Sequence, residues 1–493
     1  MSALVCRRQA IVRLGATVAA PALTGHAGAQ GASSPRAAAM PDLPPVLAGR
    51  VRHEGVGLVA FQSQAGLPVR FAAAGRIRLE DEAAPVPDTR FEYGSITKTF
   101  TALLLADMAT RGDLKLDDAV ESALPEGLKL RDSAGEPLRF IDLATQSSGL
   151  PRLPANIAPK QPADPYADYD AERLWAALAS WKPEHRRGVR FEYSNLGFGL
   201  LGEALARRLK TDYATAMAQR VFAPLGLNGL VVRTPGARAE RLAQGHDAER
   251  RTVPPWQFGV LAGAGAINGS ARELARYAQC ALGQIEQPLS PAFRLATQRH
   301  ADGPDPRLGG GMGMGLSVGI GLGWMLPTVA GRTLVNHDGG TFGMSSSLFL
   351  DPATGRAAAV LANAFVMVQD LALHALDGST PLRDVAAEAV QRKVAAERAA
   401  AAVPAEALKP LEGTYALTPQ FKVAMRVRDG RLFSQATGQG EFELFAREAG
   451  NPRRWFARVA PIEIEFEPSD AASARPPAFD LRQAGQRLRF VRE

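Results

Sequence analysis

Cysteine is almost missing from this chain: among 493 residues there are two, Cys6 and Cys280. No disulfide framework can therefore brace the fold, and a buried core has to hold it together. Long apolar runs are missing too. No stretch of 18 or more apolar residues occurs, so the sequence offers no membrane-spanning helix. The formal net charge is +7, but there is no basic stripe. Arginines alternate with acids, as in Asp247-Ala248-Glu249-Arg250-Arg251, so the clustered cationic face that nucleic acid requires is absent. Histidines number seven, and none falls into a His-x-x-x-His or His/Cys metal spacing. No Gly-x-Ser-x-Gly elbow occurs, which disfavours an α/β-hydrolase triad. The glycine-rich run Gly309–Gly315 lacks the Lys-Ser/Thr that ends a phosphate loop and reads as a flexible loop.

What is present describes a soluble globular protein: 46% hydrophobic and 22% charged residues over a length that suits two domains. Residues 1–29 have the three parts of a secretory signal. Arg7, Arg8 and Arg13 come first, then an apolar Leu14–Leu23 stretch, then small residues at Ala27-Gly28-Ala29. Cys6-Arg7-Arg8-Gln9-Ala10-Ile11-Val12 resembles a twin-arginine signal, although Cys precedes the arginine pair and Ala10 stands where a bulky apolar residue is usual. The expectation is an exported, periplasmic or extracellular protein whose mature chain keeps one thiol, Cys280, as a small buried hydrophobe.

Residues 30–45 read as a flexible lead-in. Apolar runs at Gly55–Phe61 and Val69–Ala74 predict a hairpin, and a helical period follows through Phe100, Leu103, Leu104 and Met108. Helical and loop signals then dominate to about residue 290, and strands return between Leu334 and Leu361. Strands, a long helical middle and strands again fit one antiparallel sheet with helices packed on it, an α+β arrangement, over residues 46–380. An Ala-rich helix is expected from residue 381 to 403 within a helical linker, 381–407. Alternation such as Ile462-Glu463-Ile464-Glu465-Phe466 then predicts a small all-β barrel or sandwich over 408–493.

Ser95-Ile96-Thr97-Lys98 sits where an extended run becomes a helix, so the two polar side chains share one face a turn apart. A serine hydroxyl needs a base beside it to become a nucleophile, and a lysine serves if burial lowers its pKa. Tyr193-Ser194-Asn195 marks a second extended-to-helix junction, and Asn336-His337-Asp338-Gly339-Gly340 ends a predicted strand. With these three segments in this order, the chain resembles the serine β-lactamase and penicillin-binding-protein superfamily, nearest its class C β-lactamase and DD-peptidase-like branch. Gly112-Asp113-Leu114, Ser148-Gly149-Leu150-Pro151, Pro224-Leu225-Gly226-Leu227 and Gly321-Leu322-Gly323-Trp324 extend the resemblance over residues 50–365.

The resemblance implies a β-lactamase/transpeptidase-like fold and a set of roles. Ser95 would be the nucleophile, activated by Lys98 together with Tyr193, whose hydroxyl would protonate the leaving nitrogen. Asn195 would orient Lys98 and bind the substrate amide. His337 stands where most relatives have the Lys of Lys-Thr-Gly, Gly339 would let the substrate approach the strand, and the N–H groups of Ser95 and Gly340 would form an oxyanion hole. Asp338 departs from the pattern. An ionised Asp there would repel a substrate carboxylate unless His337 is protonated or the Asp338 side chain turns away. Alternation sends His337 and Asp338 to opposite faces without saying which lines the pocket. The C-terminal segment, with Leu411-Glu412-Gly413-Thr414-Tyr415 and Asp429-Gly430-Arg431-Leu432, is similar to the lipocalin-like barrel that follows the catalytic domain in some relatives.

The expected activity is cleavage of amide bonds, of β-lactam or D-amino-acid peptide type, through an ester on Ser95, without metal or cofactor. The partners expected are small-molecule or peptide substrates, not nucleic acid. Alternatives are a carboxylesterase on the same machinery and a silent relative that binds cell-wall peptides.

Overall fold

Residues that alternate in sequence become the two faces of one large antiparallel sheet. In the computed structural model, which describes residues 40–493 apart from 162, 234–241, 304–317, 391–399, 419–420, 437–440, 450, 459–461, 470–474 and 484–485, its strands run in the order Arg70–Gly75, Gly57–Gln64, Arg356–Ala362, Ser345–Asp351, Val335–Gly340, Met325–Val329, Val318–Ile320 and Ala301–Asp302. Arg332–Thr333 pairs alongside Met325–Val329. Leu58 and Ala60, with Phe349, Ala358 and Val360, face the helices Leu43–His53 and Gln369–Asp377. Val59 and Phe61, with Leu348, Ala359 and Leu361, face the larger helical half. The strand Arg356–Ala362 is buried along its whole length because helices cover both of its faces. The expected leader and the Gly309–Gly315 loop lie outside the described residues.

The helix Thr97–Arg111 is the axis of the larger half. It is buried from Thr97 through Met108, so it shows no polar face. Phe100 stacks on Tyr277 with centroids 3.8 Å apart, and truncating such a side chain to Ala costs about 3–5 kcal/mol. Gly112, at φ 79°, ends the helix in the left-handed conformation. The helix Ala271–Ala281 is amphipathic instead, begins with a Ser270–Glu273 capping box, and buries Leu274, Tyr277 and Cys280 against the sheet side of the core.

Eight antiparallel strands between Gly413 and Arg492 close into a barrel. Tyr415, Phe466, Phe479 and Phe490 fill it, with Phe479 stacked on Phe490 at 4.9 Å. An eight-stranded barrel is just wide enough for side chains to fill, so the described part of the lumen is packed core. Arg492 ties the last strand to the start of the barrel through the carbonyls of Pro410 and Glu412, and its guanidinium lies over the Tyr415 ring.

The Ala-rich helix is shorter than its composition predicts. It starts at Val385, after Asp384 caps it by accepting from the Ala387 N–H at 2.9 Å. Residues 400–403 are not helical: the Ala401 N–H bonds the Ala446 carbonyl at 3.0 Å, so the chain is drawn onto a barrel strand before Pro404.

Candidate active site

Ser95 lies in a one-turn 3-10 helix, Gly94–Ile96, that leads directly into the helix Thr97–Arg111. Gly94 adopts φ 52°, and a Cβ on it would meet the Gly340 amide nitrogen at 2.6 Å. A side chain at that position would push the serine turn off the strand Val335–Gly340. Ser95 remains partly open to solvent, whereas Lys98, one turn on, is fully buried.

Among the described residues, Lys98 Nζ has three hydrogen-bond partners: Ser95 Oγ at 3.1 Å, Asn195 Oδ1 at 2.9 Å and the Ala264 carbonyl at 2.7 Å. Burial, with the Arg152 charge adding to it, holds the amine well below the usual lysine range. A neutral amine has two hydrogens and one lone pair. Asn195 Oδ1 and Ala264 O can only accept, so they take the hydrogens. The lone pair is left to face Ser95, the one neighbour with a proton to give. Asn195 is held in that orientation because its Nδ2 donates to the Tyr166 hydroxyl at 3.1 Å.

Tyr193 precedes the helix Asn195–Arg208, whose first turn Ser194 caps by accepting from the Gly197 N–H at 2.8 Å. The loop 146–152 anchors this junction. Gln146, in the left-handed region at φ 58°, accepts from the Ser194 N–H through Oε1 at 2.8 Å and from the Glu192 N–H through its carbonyl at 2.6 Å. The Arg152 carbonyl accepts from Asn195 N–H at 3.0 Å. The Tyr193 ring consequently stands 4.9 Å from Lys98 Nζ and 6.3 Å from the His337 ring, centroid to atom and centroid to centroid. Burial pushes its phenol up to about 12, while an interaction with the Ser95 side chain pulls the other way. The three catalytic candidates are thus brought together.

The strand Val335–Gly340 decides which of His337 and Asp338 faces them. His337 pairs with Leu348 on the side of the larger core, beside Tyr193. Asp338 points through the sheet to the opposite face, where it accepts from Ser347 Oγ at 2.6 Å, Asn336 Nδ2 at 3.1 Å and Gln369 Nε2 at 2.8 Å. Burial raises its carboxyl to about 6 against those three hydrogen bonds. His337 is not protonated either: burial, with Lys98 nearby, lowers it to about 3. Its Nδ1 lies 2.6 Å from the Asp338 carbonyl and must carry the hydrogen, because a carbonyl only accepts. Nε2 is left as an acceptor.

Gly339 allows a close approach, but of protein rather than substrate. A Cβ there would lie 2.0 Å from the Tyr93 carbonyl and 3.1 Å from the Ser95 amide nitrogen. A Cβ on Gly340 would meet nothing nearer than 3.9 Å, and the Gly340 amide stays beside the serine turn.

Several residues of this site carry no sequence signal that singles them out. Ala264 contributes only a carbonyl, and Gln146 contributes two acceptors from a left-handed loop position. Tyr166 packs in an aromatic cluster with Phe258, at 5.0 Å, and Trp256, at 5.3 Å. Glu92, three residues before Ser95, is buried and accepts from the Trp256 N–H at 2.7 Å and Thr341 Oγ1 at 2.9 Å. Burial raises it to about 7. Among the described residues no group of three His, Cys, Asp or Glu side chains is placed to hold a metal ion. Burial also raises the Cys280 thiol, so it is not a nucleophile at neutral pH.

A family model described as Beta-lactamase matches residues 46–378. A beta-lactamase of Pseudomonas fluorescens is 27% identical over 335 residues, covering 62% of this chain and 90% of that protein. The D-alanyl-D-alanine-carboxypeptidase/endopeptidase AmpH of Escherichia coli (strain K12) is 27% identical over 209 residues, 42% of this chain and 53% of its own length. The chain thus spans about half the length of some of the curated relatives it matches. Among solved structures, a class C beta lactamase from Rhodobacter sphaeroides superposes with a TM-score of 0.53 at 27% identity, over 66% of this chain and 93% of that one. The α+β fold expected from the sequence, with a closed barrel after it, is the fold observed.

Proposed function

Because the chain belongs to the beta-lactamase family, we propose that it is a serine hydrolase that opens amide bonds, in a β-lactam or a D-amino-acid peptide, through an acyl-enzyme on Ser95. One observation carries this reading: of the three neighbours of Lys98 Nζ, only Ser95 can donate to its lone pair. Ser95 Oγ attacks the substrate carbonyl carbon as its proton passes to Lys98. The carbonyl oxygen becomes an oxyanion beside the amide N–H groups of Ser95 and Gly340. The carbon–nitrogen bond then breaks, with the Tyr193 hydroxyl protonating the leaving nitrogen and Lys98 returning a proton to the phenol. Water next attacks the ester, the bond to Ser95 Oγ breaks, and the serine regains its proton. Asn195 fixes Lys98 and offers its amide to the substrate.

A carboxylesterase on the same machinery is the second reading, and His337 favours it. A neutral imidazole stands where most relatives hold an ammonium, and an ester asks less of its leaving group. A silent peptide binder is disfavoured, since such a protein has no use for a buried lysine poised on a serine. Export follows the N-terminal pattern at residues 1–29 and belongs to the same proposal.

Intact mass after incubation with a penicillin, alongside turnover of a chromogenic cephalosporin, a D-Ala-D-Ala peptide and p-nitrophenyl acetate, tests it. A penicilloyl adduct that Ser95→Ala abolishes supports the amidase. Turnover of the ester alone moves the assignment to the esterase, and no acylation by any of the four defeats both.

A further inference from the structure

Arg152 is a residue of this site that the mechanism above does not use. Its backbone is fixed to the start of the helix Asn195–Arg208, the carbonyl accepting from the Asn195 and Leu196 N–H groups at 3.0 and 3.3 Å. Its guanidinium carbon lies 5.3 Å from the centroid of the Tyr193 ring, the ring that Lys98 Nζ approaches to 4.9 Å. The side chain is exposed. Among the described residues no carboxylate pairs with it, whereas Arg187 pairs with Asp142 and Arg190 with Glu192.

An unpaired cation here works against the catalytic base, because it lowers the proton affinity of a lysine already depressed by burial. The Arg152 carbonyl is bonded to the Asn195 N–H and its guanidinium lies over the Tyr193 ring, so the charge stands beside Asn195 and Tyr193. On the strand side, His337 offers an acceptor and no charge. Among the described residues, Arg152 is a cation without a carboxylate partner, and it stands beside Asn195, whose amide would meet the acyl group.

We propose that Arg152 binds a carboxylate carried by the acyl part of the substrate, so that this enzyme selects anionic acyl groups. The inference rests on the serine-hydrolase reading and adds the substrate class. A guanidinium fork matches a carboxylate in two parallel hydrogen bonds. Being exposed, the contact is screened by salt.

The test compares p-nitrophenyl hydrogen glutarate with p-nitrophenyl pentanoate, two esters that differ in a terminal carboxylate against a methyl group. Each is assayed after subtraction of its uncatalysed rate, on the full chain and on Arg152→Gln and Arg152→Lys. The expected wild-type kcat/KM ratio favours the glutarate by about tenfold or more, chiefly through KM, and shrinks as salt rises from about 0.05 to about 0.5 M. Arg152→Gln is expected to lose that ratio and Arg152→Lys to keep part of it. No wild-type preference, or an equal loss on both esters in Arg152→Gln, overturns the inference; the second result would assign Arg152 to tuning Lys98 and Tyr193. If the wild type turns over neither ester and intact mass shows Ser95 acylated by neither ester nor by a penicillin, it is the hydrolase reading that fails, and this inference falls with it.

Discussion

His337 and Asp338 are adjacent in the chain and face opposite sides of the sheet: the imidazole lies beside Tyr193, and the carboxyl is held by Ser347, Asn336 and Gln369. The acid that would have repelled an anionic substrate is outside the cleft. The residue that remains inside is uncharged at any pH where the enzyme would work.

His337 should therefore leave no mark on the pH–rate profile between pH 5 and 8. Its folded pKa, about 3, lies below the ordinary histidine value of 6.5, so between those two values the folded state binds fewer protons than the unfolded one. The associated stability is present above about 6.5 and is lost as pH falls toward 3. His337→Gln is expected to flatten the acid side of a plot of Tm against pH. A kinetic inflection near 6.5 that disappears in this variant would contradict the assignment.

Glu92 has the opposite sign. Its folded pKa, about 7, lies above the ordinary glutamate value of 4.5, so its contribution is present below about 4.5 and lost as pH rises through 7. Asp338, raised from 3.8 to about 6, adds in the same direction, so the useful comparison is variant against parent. Glu92→Gln can still accept from Trp256 and donate to Thr341, and its Tm should drop less than the wild type's between pH 5 and pH 8. Parallel curves for the two proteins would show that Glu92 is ionised in the fold.

Lys98→Met keeps the bulk of the side chain and removes the base. The expected result is a fall in kcat of about 10³-fold or more, with KM within a few-fold of wild type. Ser95→Ala should abolish both turnover and any covalent mass adduct. Substantial turnover in Lys98→Met would mean that some other group takes the serine proton.

Gly339 and Gly340 should respond differently to the same substitution. Gly339→Ala forces a Cβ into the Tyr93 carbonyl, so the strand must move away from the serine turn, and turnover should fall by about a hundredfold with a lowered Tm. Gly340→Ala meets open space and should melt near the wild-type temperature. Melting curves and ester turnover on the two variants separate these outcomes.

Much of the fold could be read directly. The hairpin expected at Gly55–Phe61 and Val69–Ala74 forms as Gly57–Gln64 paired with Arg70–Gly75, and the strands expected between Leu334 and Leu361 form as Val335–Gly340, Ser345–Asp351 and Arg356–Ala362. Local alternation encodes these elements, and local signals survive folding. The Ala-rich helix was overextended because composition reports propensity alone, and Asp384 and the pairing of Ala401 with Ala446 outweighed it.

By itself the sequence determined which groups were available for chemistry: a serine and a lysine one helical turn apart, a tyrosine and an asparagine at a second helix start, and a His-Asp-Gly-Gly strand end. Those spacings are local, and backbone geometry fixes them. Only the tertiary structure decided that Ala264 presents its carbonyl to Lys98, that Asp338 leaves the cleft, and that Arg152 stands beside Tyr193. Each of these depends on where segments far apart in the chain come to rest, and burial, which sets the proton affinities, exists only after they have packed.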